Sequence, residues 1–257
     1  MTIRKLIPFF LALALPAFAA ERIAIIKADD VTSGNGKWDR FFKVSQELGE
    51  PVSAGIIAVS FEKQDEKYDE WLKKHEATGK IEFWNHGWDH RQWQEGDKKK
   101  SEFGGSGYEH QKEHLTKAQE AAKAGLGKPF AAFGSGFNAM DADTAKALNE
   151  IPELTLIFCY PGAKPTKDLK GKILLPMTLR GENDGTGKPN FAKFKEDYAK
   201  KKDDPTLGVV ALQFHPAGFS EQGFTDYAEI VKFLKAEGWT FMLPSEYAKS
   251  AHAKPAN

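Results

Sequence analysis

The sequence predicts an α/β chain folded as a distorted (β/α) barrel of about seven parallel strands. Short apolar runs alternate with amphipathic stretches along most of the chain, the rhythm of βαβ units and a mostly parallel sheet. Asp29-Asp30, the pair His86 and His90, and His215 each fall where one of these runs stops. Parallel α/β folds gather their chemistry at such strand ends. No Gly-rich phosphate fingerprint follows the first strand, which argues against an open doubly wound nucleotide-binding sheet.

The elements follow in order. Residues 1–20 read as a secretory signal peptide: Arg4 and Lys5 form a charged start, 6–15 an apolar run, and Ala17-Phe18-Ala19 a small-residue cleavage pattern. The run is too short to span a bilayer. The expectation is therefore export to the periplasm or medium, without lasting membrane insertion, leaving residues 21–257 as one domain. Strands are expected over 23–27, 53–61, 81–84, 130–133, 154–160, 173–177, 208–214 and 239–243. Helices are expected near 38–48, 65–75, 108–124, from Asp141 onward, 190–201 and 225–236, with Asp141 or Asp143 as a cap. A polar, Gly-rich loop joins the third strand to the helix near 108, and the Lys-rich tail after Ala248 is expected to fray.

Composition narrows the function. Lysine plus arginine and aspartate plus glutamate number 36 each, and without Arg4 and Lys5 the balance is 34 against 36. That argues against a nucleic-acid surface. Cys159 is the only cysteine, so no disulfide forms within the chain, and its apolar surroundings mark it as an inert buried thiol.

Two carboxylates and three imidazoles can thus converge in one pocket. An Asp with two His suits a divalent metal that activates water, leaving one Asp and one His for proton transfer. His86 and His90, at i and i+4, can share the face of a helical turn. Zn²⁺ fits these nitrogen and oxygen ligands, and Co²⁺, Ni²⁺, Fe²⁺ or Mn²⁺ can use the same donors. His110 and His114 repeat the spacing within a highly polar predicted helix and read as a solvated face; His75 and His252 read as surface residues.

At these residues the chain resembles the polysaccharide deacetylases, the NodB-homology or carbohydrate esterase family 4 group, as a divergent member. The resemblance rests on Lys27-Ala28-Asp29-Asp30, on Asn85-His86-Gly87-Trp88-Asp89-His90, and on Phe214-His215-Pro216 followed by Phe233-Leu234 and Leu243-Pro244-Ser245-Glu246-Tyr247. It implies Asp29 as catalytic base, Asp30, His86 and His90 as metal ligands, and His215 as catalytic acid. The substrate implied is an N-acetylated glycan, losing acetate. Trp88 and Trp93 are then placed to stack on a sugar ring, and Asn138 and Tyr108 to contact substrate. The chain also departs from the family. Gly87 stands where Ser or Thr follows the first His, removing a hydrogen bond near the metal. The third motif, usually Arg followed by Pro and an aromatic residue, reads Phe133-Gly134-Ser135-Gly136-Phe137-Asn138. Its missing cation falls to Arg91 or Arg180, and the carboxylate that orients His215 to Glu182 or Asp184. Two other readings stay open: a carbohydrate-binding protein without turnover, and a hydrolase of a non-sugar amide. The sequence leaves the oligomeric state unknown.

Overall fold

The computed structural model describes residues 21–204, 206–250, 253 and 255. The signal-peptide segment and His252 lie outside them. In chain order the strands are β1 (Arg22–Val31), β2 (Val52–Ile56), β3 (Ile81–Asn85), β4 (Gln92–Glu95), β5 (Lys98–Ser101), β6 (Ala132–Phe133), β7 (Leu156–Cys159), β8 (Ile173–Pro176), β9 (Val209–Phe214) and β10 (Trp239–Phe241). The helices are α1 (Gly36–Leu48), α2 (Ser60–Lys63), α3 (Glu66–Glu76), α4 (Tyr108–Leu126), α5 (Ala142–Asn149), α6 (Phe191–Lys201), α7 (Glu221–Ala236) and α8 (Pro244–Lys249). Among the described residues no helix is long and apolar enough to cross a membrane.

The parallel sheet runs β9, β1, β2, β3, β6, β7, β8, curving toward a distorted barrel. β10 adds an eighth strand beside the first residues of β1, Arg22 to Ala24. Caps fix where the helices begin. Asn35, Asp65, Asp141, Asn190 and Ser220 each accept a backbone N–H from the first helical turn that follows.

Side-chain alternation along β1 decides the interior. Ala24, Ile26 and Ala28 pack outward with Trp38, Phe41 and Phe42 of α1 in the core between sheet and helices. Ile23 and Ile25 point the other way and meet Trp84, Phe158, Leu175 and Ala211 inside the barrel. The same parity sends Lys27 and Asp29 inward. On β9 it does the same for Gln213, whose neighbours Leu212 and Phe214 face the helices.

Three expectations need correction. The strand expected over 53–61 ends at Ile56, and Ser60–Lys63 are helical. The first strand does not stop at Lys27 but continues to Val31 through a bulge: pairing with β2 steps from Ala28↔Ala54 to Val31↔Ile56, one residue more on β1. Asp30 sits at the bulge with φ 75°. An extra residue cancels the alternation, so the consecutive Asp29 and Asp30 both face one cavity. The loop after β3 is also not structureless: β4 and β5 pair antiparallel across it.

Candidate functional site

A cavity of about 510 Å³ opens at the carboxyl ends of the strands, lined by Asp29 and Asp30 of β1, His86 and His90 after β3, and Glu182 and His215 near β8 and β9. Four non-glycine residues have positive φ among those described: Asp30, His90, Phe137 and Asn138. All four line this cavity. Such backbone costs of order 1–3 kcal/mol per residue and collects at functional sites.

Asp30 Oδ1 lies 3.2 Å from His86 Nε2 and 3.6 Å from His90 Nε2. His86 Nδ1 donates to the Gly134 carbonyl at 2.7 Å, which leaves the Nε2 of a neutral ring with a lone pair aimed at Asp30. Asp30 Oδ1 is buried without a hydrogen-bond partner. Two acceptors facing each other at this distance are what a cation separates: ligands about 2.0–2.1 Å from a tetrahedral Zn²⁺ stand about 3.3 Å apart. The donor set thus fits a divalent metal of this kind. Burial alone would raise the Asp30 pKa, but the facing His86, with His90 and His215, outweighs it and holds the carboxylate well below its ordinary range. Burial and the neighbouring His86 lower His90, favouring the neutral ring a metal requires.

His86 and His90 do not share a helical turn, as their spacing had suggested. They sit on a loop, where Gly87 at φ 87° turns the chain back. The brace for that loop is Glu102, 1% exposed, which follows β5. Its carboxylate accepts the backbone N–H groups of Trp88, Asp89 at 3.3 Å and His90 at 2.8 Å. A Cβ on Gly87 would come within 2.5 Å of Glu102 Oε2, so the residue that removes the family's Ser or Thr also admits the substitute brace. His114 donates from Nδ1 to Glu102 at 2.9 Å. It is buried, against the expected solvated face, and His110 stacks on it with ring centres 4.0 Å apart. Glu102, Asp89 and His114 have metal-type donors in proximity, but the Glu102 oxygens are already committed to these N–H groups.

The cation beside Asp29 is Lys27, neither Arg91 nor Arg180. Its Nζ lies 2.7 and 2.6 Å from the two Asp29 oxygens, with the lysine 0% and the aspartate 1% exposed. The ammonium rests over Trp84, 4.8 Å from the ring centre, and near Phe158. Gly134, in the altered third motif, leaves the room: a Cβ there would meet Lys27 Cε at 3.1 Å. Gln213 donates to Asp29 Oδ2 at 2.7 Å, and Asn138 in turn donates to Gln213 at 3.2 Å. Sequence reasoning overlooked Lys27, Gln213 and Glu102. The signal for the first two was strand parity.

His215 Nε2 stands 3.8 Å from Asp29 Oδ2, across from the Asp30 group. Of its two candidate partners Glu182 is the one in place, accepting from His215 Nδ1 at 2.7 Å and from the His215 backbone N–H. Asp184 instead accepts from Asn190 and Lys193. Burial alone would lower the His215 pKa; the Glu182 hydrogen bond and the Asp29, Glu182 and Asp30 charges more than offset it and raise it.

The structure therefore brings Asp29, Asp30, His86, His90, His215 and Asn138 to one cavity. Three aromatic expectations do not follow them. Trp88 and Trp93 are absent from the cavity lining, Trp93 lying edge-on to His110. Tyr108 donates its hydroxyl to Glu150 at 2.7 Å. The exposed rings at the cavity are Phe137, 47% exposed, and Tyr160, 38%. His75 is no free surface residue either: it packs on Phe42 and Trp71 and meets Asp39 at 3.3 Å. Cys159 is buried as expected, and burial pushes its thiol up to about 11.

Solved structures share this architecture. The esterase family 4 domain of a multidomain xylanase from the hindgut metagenome of Trinervitermes trinervoides superimposes with a TM-score of 0.63 at 12% identity, covering 92% of this chain and 94% of that one. The chain has the carbohydrate esterase family 4 fold. A family 4 acetyl xylan esterase from Clostridium thermocellum, in complex with a cobalt ion, gives 0.61 at 10% identity, covering 88% and 90%. A family 4 pseudoenzyme from Bacillus anthracis gives 0.61 at 10% identity over 88% and 65%. No protein-family model and no curated protein sequence matches the chain.

Proposed function

We propose that this protein is an exported, metal-dependent hydrolase that removes N-acetyl groups from a polysaccharide or related glycan. The observation that carries the reading is the convergence of Asp30, His86 and His90 on one point, with the Lys27–Asp29 pair and the Glu182–His215 pair on either side. A divalent cation held by Asp30, His86 and His90 supplies Lewis acidity, able to polarise an acyl oxygen and bring a water pKa to about 7.

The chain's own groups do the proton work. Asp29, oriented by Lys27 and Gln213, accepts at Oδ2 the proton of the water that attacks the acetamide carbon. His215 donates from Nε2 to the amine nitrogen as the C–N bond breaks, because an amine leaves poorly as an anion. Glu182 holds the other ring nitrogen and so fixes which one faces the reaction. The products are acetate and a free amino sugar. The raised His215 pKa supports the acid role, since the proton is retained toward neutrality.

A binding protein without turnover drew its support from the missing motif arginine, and Lys27 weakens that support by supplying the charge from within the barrel. Elemental analysis of protein purified without added metal, paired with acetate release from N-acetylated glycans and from an amide panel, tests the proposal. Metal content and acetate release fall together in His86→Ala and His90→Ala. Acetate release unchanged in both variants rejects the reading, and turnover confined to non-sugar amides transfers the site to another substrate class.

A further inference from the structure

We infer that the deacetylase site is built for a negatively charged sugar, with Arg180 receiving a carboxylate or sulfate on the glycan near the acyl group. The inference rests on the proposed function and adds the substrate's charge to it. Its basis is a charge left over. Asp29 has Lys27, Glu182 has His215, and Asp30 has the two imidazoles with which it can share a metal. Arg180 is the only lysine or arginine lining the cavity, and its guanidinium has no hydrogen bond or ion pair among the described residues. Asp29 and Glu182 are already engaged and Asp30 faces the two imidazoles, so the anion that pairs with Arg180 is expected to arrive with the substrate.

Arg180 is exposed, and the segment that carries it is anchored on both sides. Leu179 on one side is buried. On the other, Gly181 is pressed so closely onto β9 that a Cβ there would meet Phe214 at 2.4 Å and the Gln213 carbonyl at 2.9 Å. Next comes Glu182, tied to His215 through both carboxylate oxygens. The Asn183 amide, turned with its nitrogen toward the Arg180 carbonyl, donates to it at 2.8 Å and accepts from Phe194 N–H at 3.1 Å. The residue that carries the free cation therefore belongs to the short segment that holds the proposed catalytic acid. A planar fork of donors borne two residues before Glu182 suits a planar or tetrahedral oxyanion on the ring. Phe137 and Tyr160, the exposed large hydrophobic side chains at the same cavity, offer apolar faces for the rest of the sugar.

The test uses metal-loaded protein and acetylated oligosaccharides of matched length, neutral, uronate-bearing or sulfated, read by acetate release and, on the deacetylated glycans, by calorimetric binding. Wild type favours a charged arm over the neutral one by about tenfold or more, the scale of a charged hydrogen bond, and added salt reduces that preference. In Arg180→Gln the preference collapses; in Arg180→Lys part of it survives. The carboxylate and sulfate arms tell which oxyanion the site takes. Equal handling of charged and neutral glycans by wild type, or a preference untouched in Arg180→Gln, overturns the inference while leaving deacetylation standing. Charge-selective binding lost in Arg180→Gln, with acetate released from no glycan, supports the inference and removes the deacetylase reading instead.

Discussion

Lys27 and Asp29 form a buried ion pair two residues apart on one strand, with both carboxylate oxygens within 2.7 Å of the ammonium. A carboxylate so deep inside a barrel needs a compensating cation, and removing one partner of such a pair costs about 3–5 kcal/mol. Lys27→Met is expected to lower stability by that order and to cut acetate release by about a hundredfold or more, because Asp29 loses the partner that pairs its charge and aims it. Lys27→Met/Asp29→Asn removes both charges and recovers much of the stability with none of the activity. Denaturant unfolding and acetate assays on the three variants check this; full activity in Lys27→Met rules out the pairing as part of the site.

The same pair shows what the sequence made legible and what it hid. Strand-end placement of Asp29, Asp30, His86, His90 and His215 was readable because a parallel barrel forces strand ends to one rim. Lys27 was readable too, through the inward parity of Ile23 and Ile25, but a lysine inside an apolar strand looks like a surface residue until the carboxylate it serves is identified. Trp88 and Trp93 misled because nearness in sequence to the proposed ligands does not set direction, and Tyr108 because its partners lie on other elements. Gly87 reverses the chain after His86, and Tyr108, at the start of its helix, directs its side chain to Glu150 and Lys146. His114 looked solvated because its partner, Glu102, lies outside its helix, just after the hairpin that precedes it.

Glu182 is expected to set the alkaline limit of the proposed activity. Its hydrogen bond is the largest of the influences that raise the His215 pKa against the lowering effect of burial. Because the folded value lies above the ordinary 6.5, the stability this pair contributes is complete below that pH and is lost as pH rises through the raised value. Glu182→Gln lowers the His215 pKa, so the alkaline limb of the rate profile moves to lower pH. An unmoved limb assigns that limb to a different group.

Glu102 is expected to govern metal affinity without touching the metal. Glu102→Ala strands three backbone N–H groups of the His90 loop, each costing about 1–3 kcal/mol if water does not replace the carboxylate. Supporting residues of this kind alter metal affinity by about 10–100-fold. Gly87→Ser, which restores the family's residue, is expected to harm the loop as well, through its φ of 87° and its collision with Glu102. Gly87→Ser/Glu102→Ala should then bind metal more tightly than Gly87→Ser alone, as read by competition with a chelating dye. Independent, additive effects at the two positions refute a shared brace.

Phe137 poses stability against function. It is held at φ 57° beside Asn138 at φ 52°, its ring lies 4.3 Å from that of His90, and nearly half of it is exposed. A bulky residue in this conformation costs of order 1–3 kcal/mol, and an exposed ring returns little of that through burial. Phe137→Gly removes the strain, so its thermal midpoint is expected to hold or rise. The same change removes an apolar face for the sugar and the ring packed on His90, so KM for glycan is expected to rise by about tenfold, the scale of one ring contact. Thermal unfolding and steady-state kinetics on one preparation decide it. A lower midpoint with unchanged KM means the ring is there for packing, and the strain then has no functional explanation.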